Sequence, residues 1–168
     1  MAANRAQPLR LFLDTGVILE GCFGRWGASK GVLILATERK LYTVVLAEAV
    51  ERELQRNVAY TLPPSIPSEA RDAAAEQVSG WLQRVRIERW PLPSADDIER
   101  YAPALMLVLR HRNDLPAVVS AVQARPDWVI SANQEHWSDV LAERTGLRMV
   151  TPREFLGRLL PVQVEQAE

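Results

Sequence analysis

Short apolar runs alternate along the whole chain with longer segments in which apolar residues recur every three or four positions. The runs are rich in large or β-branched side chains and predict strands, whereas the periodic segments predict amphipathic helices. Five strands are predicted, at Leu9–Asp14, Leu41–Ala47, Arg86–Trp90, Asp127–Ser131 and Arg148–Val150. Because helices separate the strands throughout, the pattern predicts an α/β fold with a mostly parallel sheet and helices on both faces.

Two of the predicted helices carry clear boundary signals. Ser94 is an N-cap residue, and the helix that it opens is expected to extend to about Arg110, with a break or kink at Pro103. A later helix is predicted to begin at Gln134 and to end at Gly146, because glycine after the last helical turn adopts the left-handed conformation most easily.

The chain of 168 residues is most simply one domain. We assign residues 1–160 to this domain and residues 161–168 to a polar tail. The proline-rich segment Thr61–Pro67 is interpreted as a loop inside the domain, since too few residues lie on either side for two domains. The last helix is predicted to open with a capping box at Thr151 and to extend through Leu160.

The composition narrows the function classes. A net charge of -1 argues against a large electrostatic footprint for nucleic acid, although metal ions in a carboxylate site would themselves attract phosphate. No apolar run approaches the ~20 residues that a membrane span needs, and no signal peptide is evident. The single cysteine, Cys22, fits a reducing compartment, so we expect a cytoplasmic protein without membrane partners.

Acidic and amide side chains recur where the predicted strands end. Open α/β sheets bind ligands at the carboxyl ends of their strands, so these residues would surround one crevice if strands one and four are neighbours. Several oxygen ligands converging there would suit Mg²⁺ or Mn²⁺ and metal-assisted phosphodiester hydrolysis. The candidates are Asp14, Glu48, Glu51, Glu53, Asp114, Asn133 and Glu135.

Each of these residues also has a simpler interpretation. Asp14, Asp114 and Asn133 all stand where a residue would cap the following helix. Glu48 and Glu51 fit a solvated helix face, although apolar periodicity places Glu51 nearest the buried stripe of its helix. The two histidines suggest no site, because the spacing of His111 and His136 matches no metal motif and predicts structural or surface roles.

The chain resembles the PIN-domain ribonucleases, a family that includes the VapC-like toxins of bacterial toxin–antitoxin pairs. The resemblance is carried by blocks in family order, of which the first two are Leu-Phe-Leu-Asp14-Thr-Gly-Val-Ile-Leu and Val-Val-Leu-Ala-Glu-Ala-Val-Glu-Arg-Glu53-Leu. The next block is Asn-Asp114-Leu-Pro-Ala-Val-Val-Ser-Ala, followed by Asp-Trp-Val-Ile-Ser-Ala-Asn133-Gln-Glu-His-Trp. The last block is Met-Val-Thr-Pro-Arg-Glu-Phe-Leu. These blocks span almost the whole chain, and the C-terminal run is the most specific of them.

The resemblance implies a five-stranded parallel sheet in the order 3-2-1-4-5 and a Mg²⁺- or Mn²⁺-dependent ribonuclease. The implied ligands are Asp14, Glu53, Asp114 and Asn133, with Asp14 and Asp114 binding the main ion and Glu53 sharing it or orienting the attacking water. Glu51 is the alternate to Glu53. VapC-like biology further implies an RNA substrate, an antitoxin partner and a homodimer.

One departure from the family pattern opens an alternative. The fourth acid of the pattern is usually Asp, and the amide of Asn133 removes one negative charge that Glu135 would restore. The alternative is therefore a catalytically weak or inactive PIN-like module that binds RNA or a protein partner. A processing nuclease without an antitoxin is a further alternative. A receiver domain ranks lower, because it needs an acidic pair after strand one and a late lysine, and no lysine follows Lys40.

Overall fold

A computed structural model describes residues 8–39, 41–60 and 68–159 of the chain. The predicted loop at Thr61–Pro67 and the predicted tail at residues 161–168 lie outside the described residues. Five strands are present: β1 Leu9–Leu13, β2 Tyr42–Ala47, β3 Ile87–Trp90, β4 Trp128–Ile130 and β5 Met149–Val150. All five were predicted, and each is shorter than predicted by one to two residues at its ends.

Eight α-helices connect and follow these strands in the described residues: α1 Thr15–Phe23, α2 Ala28–Ile34, α3 Glu48–Tyr60, α4 Ser68–Arg84, α5 Ala95–Leu105, α6 Leu115–Ala124, α7 Asp139–Thr145 and α8 Pro152–Leu159. A π-helical segment, Leu35–Arg39, extends α2, and a 3₁₀ turn, Arg112–Asp114, precedes α6. No helix among the described residues is long and apolar enough to cross a membrane.

The strands form one parallel sheet in the order β3-β2-β1-β4-β5, which confirms the predicted architecture. The central strands are almost wholly buried because both faces are covered by helices, and their side chains form the core with the inner faces of those helices. Helices α1, α2, α4 and α8 form one connected group, and α5, α6 and α7 form another, with α3 in contact with both. Since β1 and β4 are neighbours, the residues that follow them share one edge of the sheet.

Two predicted helix boundaries are wrong. The helix opened by Ser94 ends at Leu105, two residues after Pro103, and not near Arg110. Residues 106–109 form a turn instead, in which the backbone N–H groups of Val108 and Leu109 both donate to the carbonyl of Leu105. The ring of a proline and its missing N–H explain why the helix does not continue for long beyond it.

The helix predicted from Gln134 begins only at Asp139, with Ser138 as its N-cap. The preceding residues form a turn that brings the indole of Trp137 into the core, where its ring lies 5.6 Å from that of Phe12. Gly146 ends this helix in the left-handed conformation with φ 73°, as predicted.

Candidate active site

The ends of β1 and β4 place a carboxylate and a hydroxyl in direct contact. Leu13 pairs with Ile130 in the sheet, so Asp14 and Ser131 emerge side by side. The Ser131 hydroxyl donates to Asp14 Oδ2 at 2.8 Å and accepts from the backbone N–H of Asn133 at 3.0 Å. Ser131 is buried, and its two hydrogen bonds connect the Asp14 carboxylate to the turn that follows β4.

The environment of Asp14 disfavours its negative charge. Burial raises the pKa of the Asp14 carboxyl, while hydrogen bonds from Ser131, the Trp137 indole and the Thr15 backbone, together with the charge of His136, act in the opposite direction. The helix-cap alternative is wrong for this residue, because the carboxylate makes no N-capping hydrogen bond to α1. A buried acid that does not cap its helix is available for another role.

Glu53 reaches the same region from α3. Its Oε2 accepts a hydrogen bond of 2.9 Å from the hydroxyl of Thr15, the buried residue directly after Asp14. Burial raises the pKa of Glu53, and the negative charges of Asp14 and Asp114 raise it further. The three acids are thus close enough for their charges to interact, although they come from three separate parts of the chain.

Asp114 contributes a buried oxygen that accepts no hydrogen bond from any described residue. It precedes α6 but does not cap that helix through its side chain, so the cap alternative is wrong here as well. Its Oδ2 is buried without a hydrogen-bond partner, and His136 Nδ1 lies 3.3 Å away, an ion pair only when the imidazole is protonated. A buried, unsatisfied carboxylate oxygen indicates a missing ligand, because such a group is costly when left alone.

We tested these residues against the divalent ion that the resemblance implies. Carboxylates are hard oxygen donors of the kind that Mg²⁺ and Mn²⁺ prefer, and a cation would relieve both the unsatisfied oxygen of Asp114 and the mutual repulsion of the three acids. Within residues 8–39, 41–60 and 68–159, however, no group of three or more His, Cys, Asp or Glu side chains is arranged to hold a metal ion. The donor chemistry of these acids fits the ion, whereas their arrangement in the described residues does not form a complete metal site.

Asn133 lies beside Asp14 but is engaged in its own turn. Its side-chain carbonyl accepts hydrogen bonds from the backbone N–H groups of Glu135 at 3.2 Å and His136 at 3.4 Å. Asn133 therefore caps a turn, and not the helix that was predicted to begin at Gln134. Together with Asp14, the residue lines a shallow cavity. Glu135 lines the same cavity and pairs with Arg110 on the surface, so its charge is already compensated.

The two remaining candidates on α3 form surface ion pairs. Glu51 pairs with Arg89 at 2.8 Å, and Glu48 pairs with Arg52 at 2.7 Å. Of the two acids between which the sequence left a choice, Glu53 is therefore the one that faces Thr15 and the other acids, whereas Glu51 is held by an arginine of β3.

Sequence reasoning missed three contributors to the site. The hydroxyl of Thr15 donates to Glu53, although no pattern in the sequence indicates that contact. The indole of Trp137 lies in the core and lowers the pKa of Asp14 as a hydrogen-bond donor. His136 was set aside because its spacing from His111 matches no metal motif, yet it contacts Asp114, and the His111 ring lies 4.9 Å from its own. The available signal was the position of His136 in the turn after a central strand.

Solved structures with the same fold support the resemblance. VapBC2 from Rickettsia felis, bound to a DNA fragment from its promoter, matches with a TM-score of 0.60 and 17% identity over 85% of this chain and 98% of that one. PAE2754 from Pyrobaculum aerophilum matches with a TM-score of 0.60 and 12% identity over 90% and 89% of the two chains. FitAcB from Neisseria gonorrhoeae matches with a TM-score of 0.58 and 14% identity over 85% and 98%.

Sequence comparison adds nothing to these matches, since no protein-family model and no curated protein matches the chain. At these identities the likeness concerns the fold, and it agrees with the α/β fold and the five-stranded parallel sheet that the sequence predicted.

Proposed function

We propose that this protein is a metal-dependent ribonuclease that hydrolyses RNA phosphodiester bonds. The observation that carries the proposal is that Asp14 and Asp114 lie close enough to Glu53 for their charges to raise its pKa, and that a buried Asp114 oxygen accepts no hydrogen bond from a described residue. Structural ion pairs do not account for these acids, because none of the three has an arginine or lysine partner among the described residues.

Asp14 and Asp114 are the residues that would hold Mg²⁺ or Mn²⁺, and Asn133 would contribute at the edge of the site. The ion supplies Lewis-acid polarisation of the phosphoryl group and lowers the pKa of a water molecule. Ser131 keeps the Asp14 carboxylate in place, and Thr15 does the same for Glu53. Glu53 would in turn orient the attacking water by accepting a hydrogen bond from it.

The experiment that tests this function is cleavage of a mixed set of single-stranded and structured RNAs with Mg²⁺ or Mn²⁺. EDTA is the chemical control, and Asp14→Asn is the variant control, since it removes the charge while keeping the shape. Metal-dependent cleavage that is lost in Asp14→Asn supports the proposal. A folded wild-type protein that cleaves no RNA with either metal refutes it.

A second candidate is a catalytically weak or inactive PIN-like module, which the amide at position 133 and its engagement in a turn favour. Such a module would bind RNA or a protein without cleaving. The discriminating variant is Asn133→Asp, because the carboxylate keeps the acceptor for the turn and restores the missing charge. Activity that appears only in this variant identifies the weak module.

The toxin assignment is a separate proposal about biology. The structures of VapBC2 and FitAB with DNA are similar to this chain in fold, and by analogy we propose an antitoxin partner and a homodimer for it. Co-expression with the product of a neighbouring gene, followed by size-exclusion chromatography with light scattering, tests both. Arrested growth without that product, and recovery with it, would distinguish a toxin from a processing nuclease.

A further inference from the structure

The cavity lined by Glu53 and Asp114 combines two kinds of side chain. It has a volume of ≈ 630 Å³ and is formed by α3, the β3–α5 connection, α5 and the start of α6. Besides the two acids, its lining includes an apolar group that consists of Leu92, Pro93, Ile98, Pro116 and Ala117. A site that needed only to hold a cation and a phosphate would gain nothing from an apolar group, because both ligands are hydrophilic.

The lining of this cavity also includes two asparagine side chains. The carboxamides of Asn57 and Asn113 both line it and make no side-chain hydrogen bond to any described residue. Each carboxamide offers donors and an acceptor in one plane, the combination that reads the edge of a nucleobase. The imidazole of His111 lines the same cavity and adds an exposed ring.

The lining of the cavity also includes an arginine that forms no salt bridge with a described residue. Arg52 is held by Glu48, but Arg56 forms no ion pair or hydrogen bond with a described residue, and its charge lowers the pKa of Glu53. A guanidinium beside the acids is placed to contact a phosphate of the same strand. The base of a nucleotide presents an apolar face and a hydrogen-bonding edge, and its phosphate is negative. The cavity has a complement for each of these three features.

We propose that this cavity binds the base of one nucleotide of single-stranded RNA next to the scissile phosphate, and that Asn57 and Asn113 set the base preference of cleavage. The proposal rests on the ribonuclease function proposed above and adds its substrate class. A base can enter the cavity only when it is unstacked and unpaired, so the substrate is a single strand or a loop and not a duplex.

The first experiment examines the cavity without requiring catalysis. The four ribonucleosides are titrated into the wild-type protein without metal, and the side-chain amide resonances of Asn57 and Asn113 are followed by NMR. We expect at least one nucleoside to shift both resonances and to leave Gln55, an exposed carboxamide two residues earlier on α3, unshifted. If no nucleoside shifts either resonance, or if Gln55 shifts equally, the proposal is overturned.

The second experiment measures cleavage of an RNA pool with a randomised segment. We expect the wild type to prefer certain bases at one position beside the cut. Asn57→Ala or Asn113→Ala should reduce that preference by a factor on the order of 10, as expected when a carboxamide contact to a base edge is lost. The Gln55→Ala control should retain it. Preferences that are unchanged in both asparagine variants overturn the proposal.

Ala117→Phe provides a variant that fills the cavity at its apolar group without altering an acid. In a protein shown to be folded by circular dichroism, KM for RNA should rise, and the nucleoside shifts of the wild type should disappear. Retention of those shifts would contradict the proposal. If the wild type cleaves no RNA, the ribonuclease function fails, and the nucleoside titration still decides whether the cavity binds a base.

Discussion

The hydroxyl of Ser131 offers a direct test of how the acidic site is held in the fold. Ser131→Ala removes a donor to the ionised Asp14 carboxylate and an acceptor for the Asn133 N–H. A hydrogen bond to a charged group contributes about 1.5–3 kcal/mol and a neutral one about 0.5–1.5 kcal/mol, so the free energy of unfolding at pH 7 should fall by about 3 kcal/mol.

Ser120→Ala is a matched control. Ser120 is also a buried serine, but its hydroxyl donates to a neutral acceptor, the backbone carbonyl of Pro116, at 2.9 Å. We expect this change to cost about 1 kcal/mol. Both variants are compared with the wild type by urea denaturation in EDTA, so that no cation compensates for the loss.

The effect should also depend on pH. The pKa of Asp14 is raised in the folded protein, so the folded state binds more protons than the unfolded state between the ordinary pKa of aspartate and the raised value. The contribution of this carboxyl to stability is therefore fully present at low pH and is lost as the pH rises through the folded pKa. The Ser131 hydroxyl moderates that loss by stabilising the ionised form.

The cost of Ser131→Ala should consequently shrink at a pH below the folded pKa of Asp14, where protonation of the carboxyl removes the charge-assisted bond, while the cost of Ser120→Ala stays constant. The reasoning is refuted if Ser131→Ala costs no more than Ser120→Ala at pH 7, or if its cost is the same at both pH values. A change in the denaturant slope would show that the variant altered compactness and not only stability.

Three further predictions concern the acids of the site. Asp14→Asn should raise the free energy of unfolding at pH 7 in EDTA, because it removes a buried charge whose ionisation is disfavoured. The same variant should abolish RNA cleavage. A variant that is less stable than the wild type in urea melts would contradict the expected stabilisation. Thr15→Val keeps the side-chain shape but frees Glu53, so single-turnover cleavage should slow by on the order of 10-fold, and an unchanged rate would exclude positioning by Thr15. Glu51→Gln, in contrast to Glu53→Gln, should retain activity and lose less than about 1 kcal/mol in urea melts, because Arg89, the partner of Glu51, is largely exposed and solvent screens the pair; loss of cleavage in Glu51→Gln would reverse the choice between the two acids.

The centre of the sheet was predictable because β2 and β4 are continuous runs of mainly apolar residues and β1 carries a single charged residue, Arg10. Strands buried on both faces have no polar alternation to confuse them with other elements, and the helices between them leave a parallel arrangement as the simple solution. The order of the strands followed from the resemblance and not from periodicity. Asp14 follows β1, and Asp127 precedes β4, the parallel neighbour of β1. The carboxyl ends of the two strands, where Asp14 lies, therefore form the edge of the sheet that carries the site.

The local errors have a common cause, which is competition from side chains that bond to nearby backbone. The turn after β4 resembled a helix start in sequence, but Asn133 and Ser131 accept backbone N–H groups that a helix would have used otherwise. Contacts between distant segments were equally invisible. The hydrogen bond from Thr15 to Glu53 joins residues that are 38 positions apart, and no periodicity of either helix indicates it.

One feature of the core gives the molecule an optical reporter of its own site. Trp137 packs against Phe12 and donates from its indole to the Asp14 carboxylate, so its emission is sensitive to whether that group is charged, neutral or bound. Replacing the other four tryptophans by phenylalanine would isolate this signal. The arrival of a cation or an RNA strand could then be followed in real time by fluorescence, without a label.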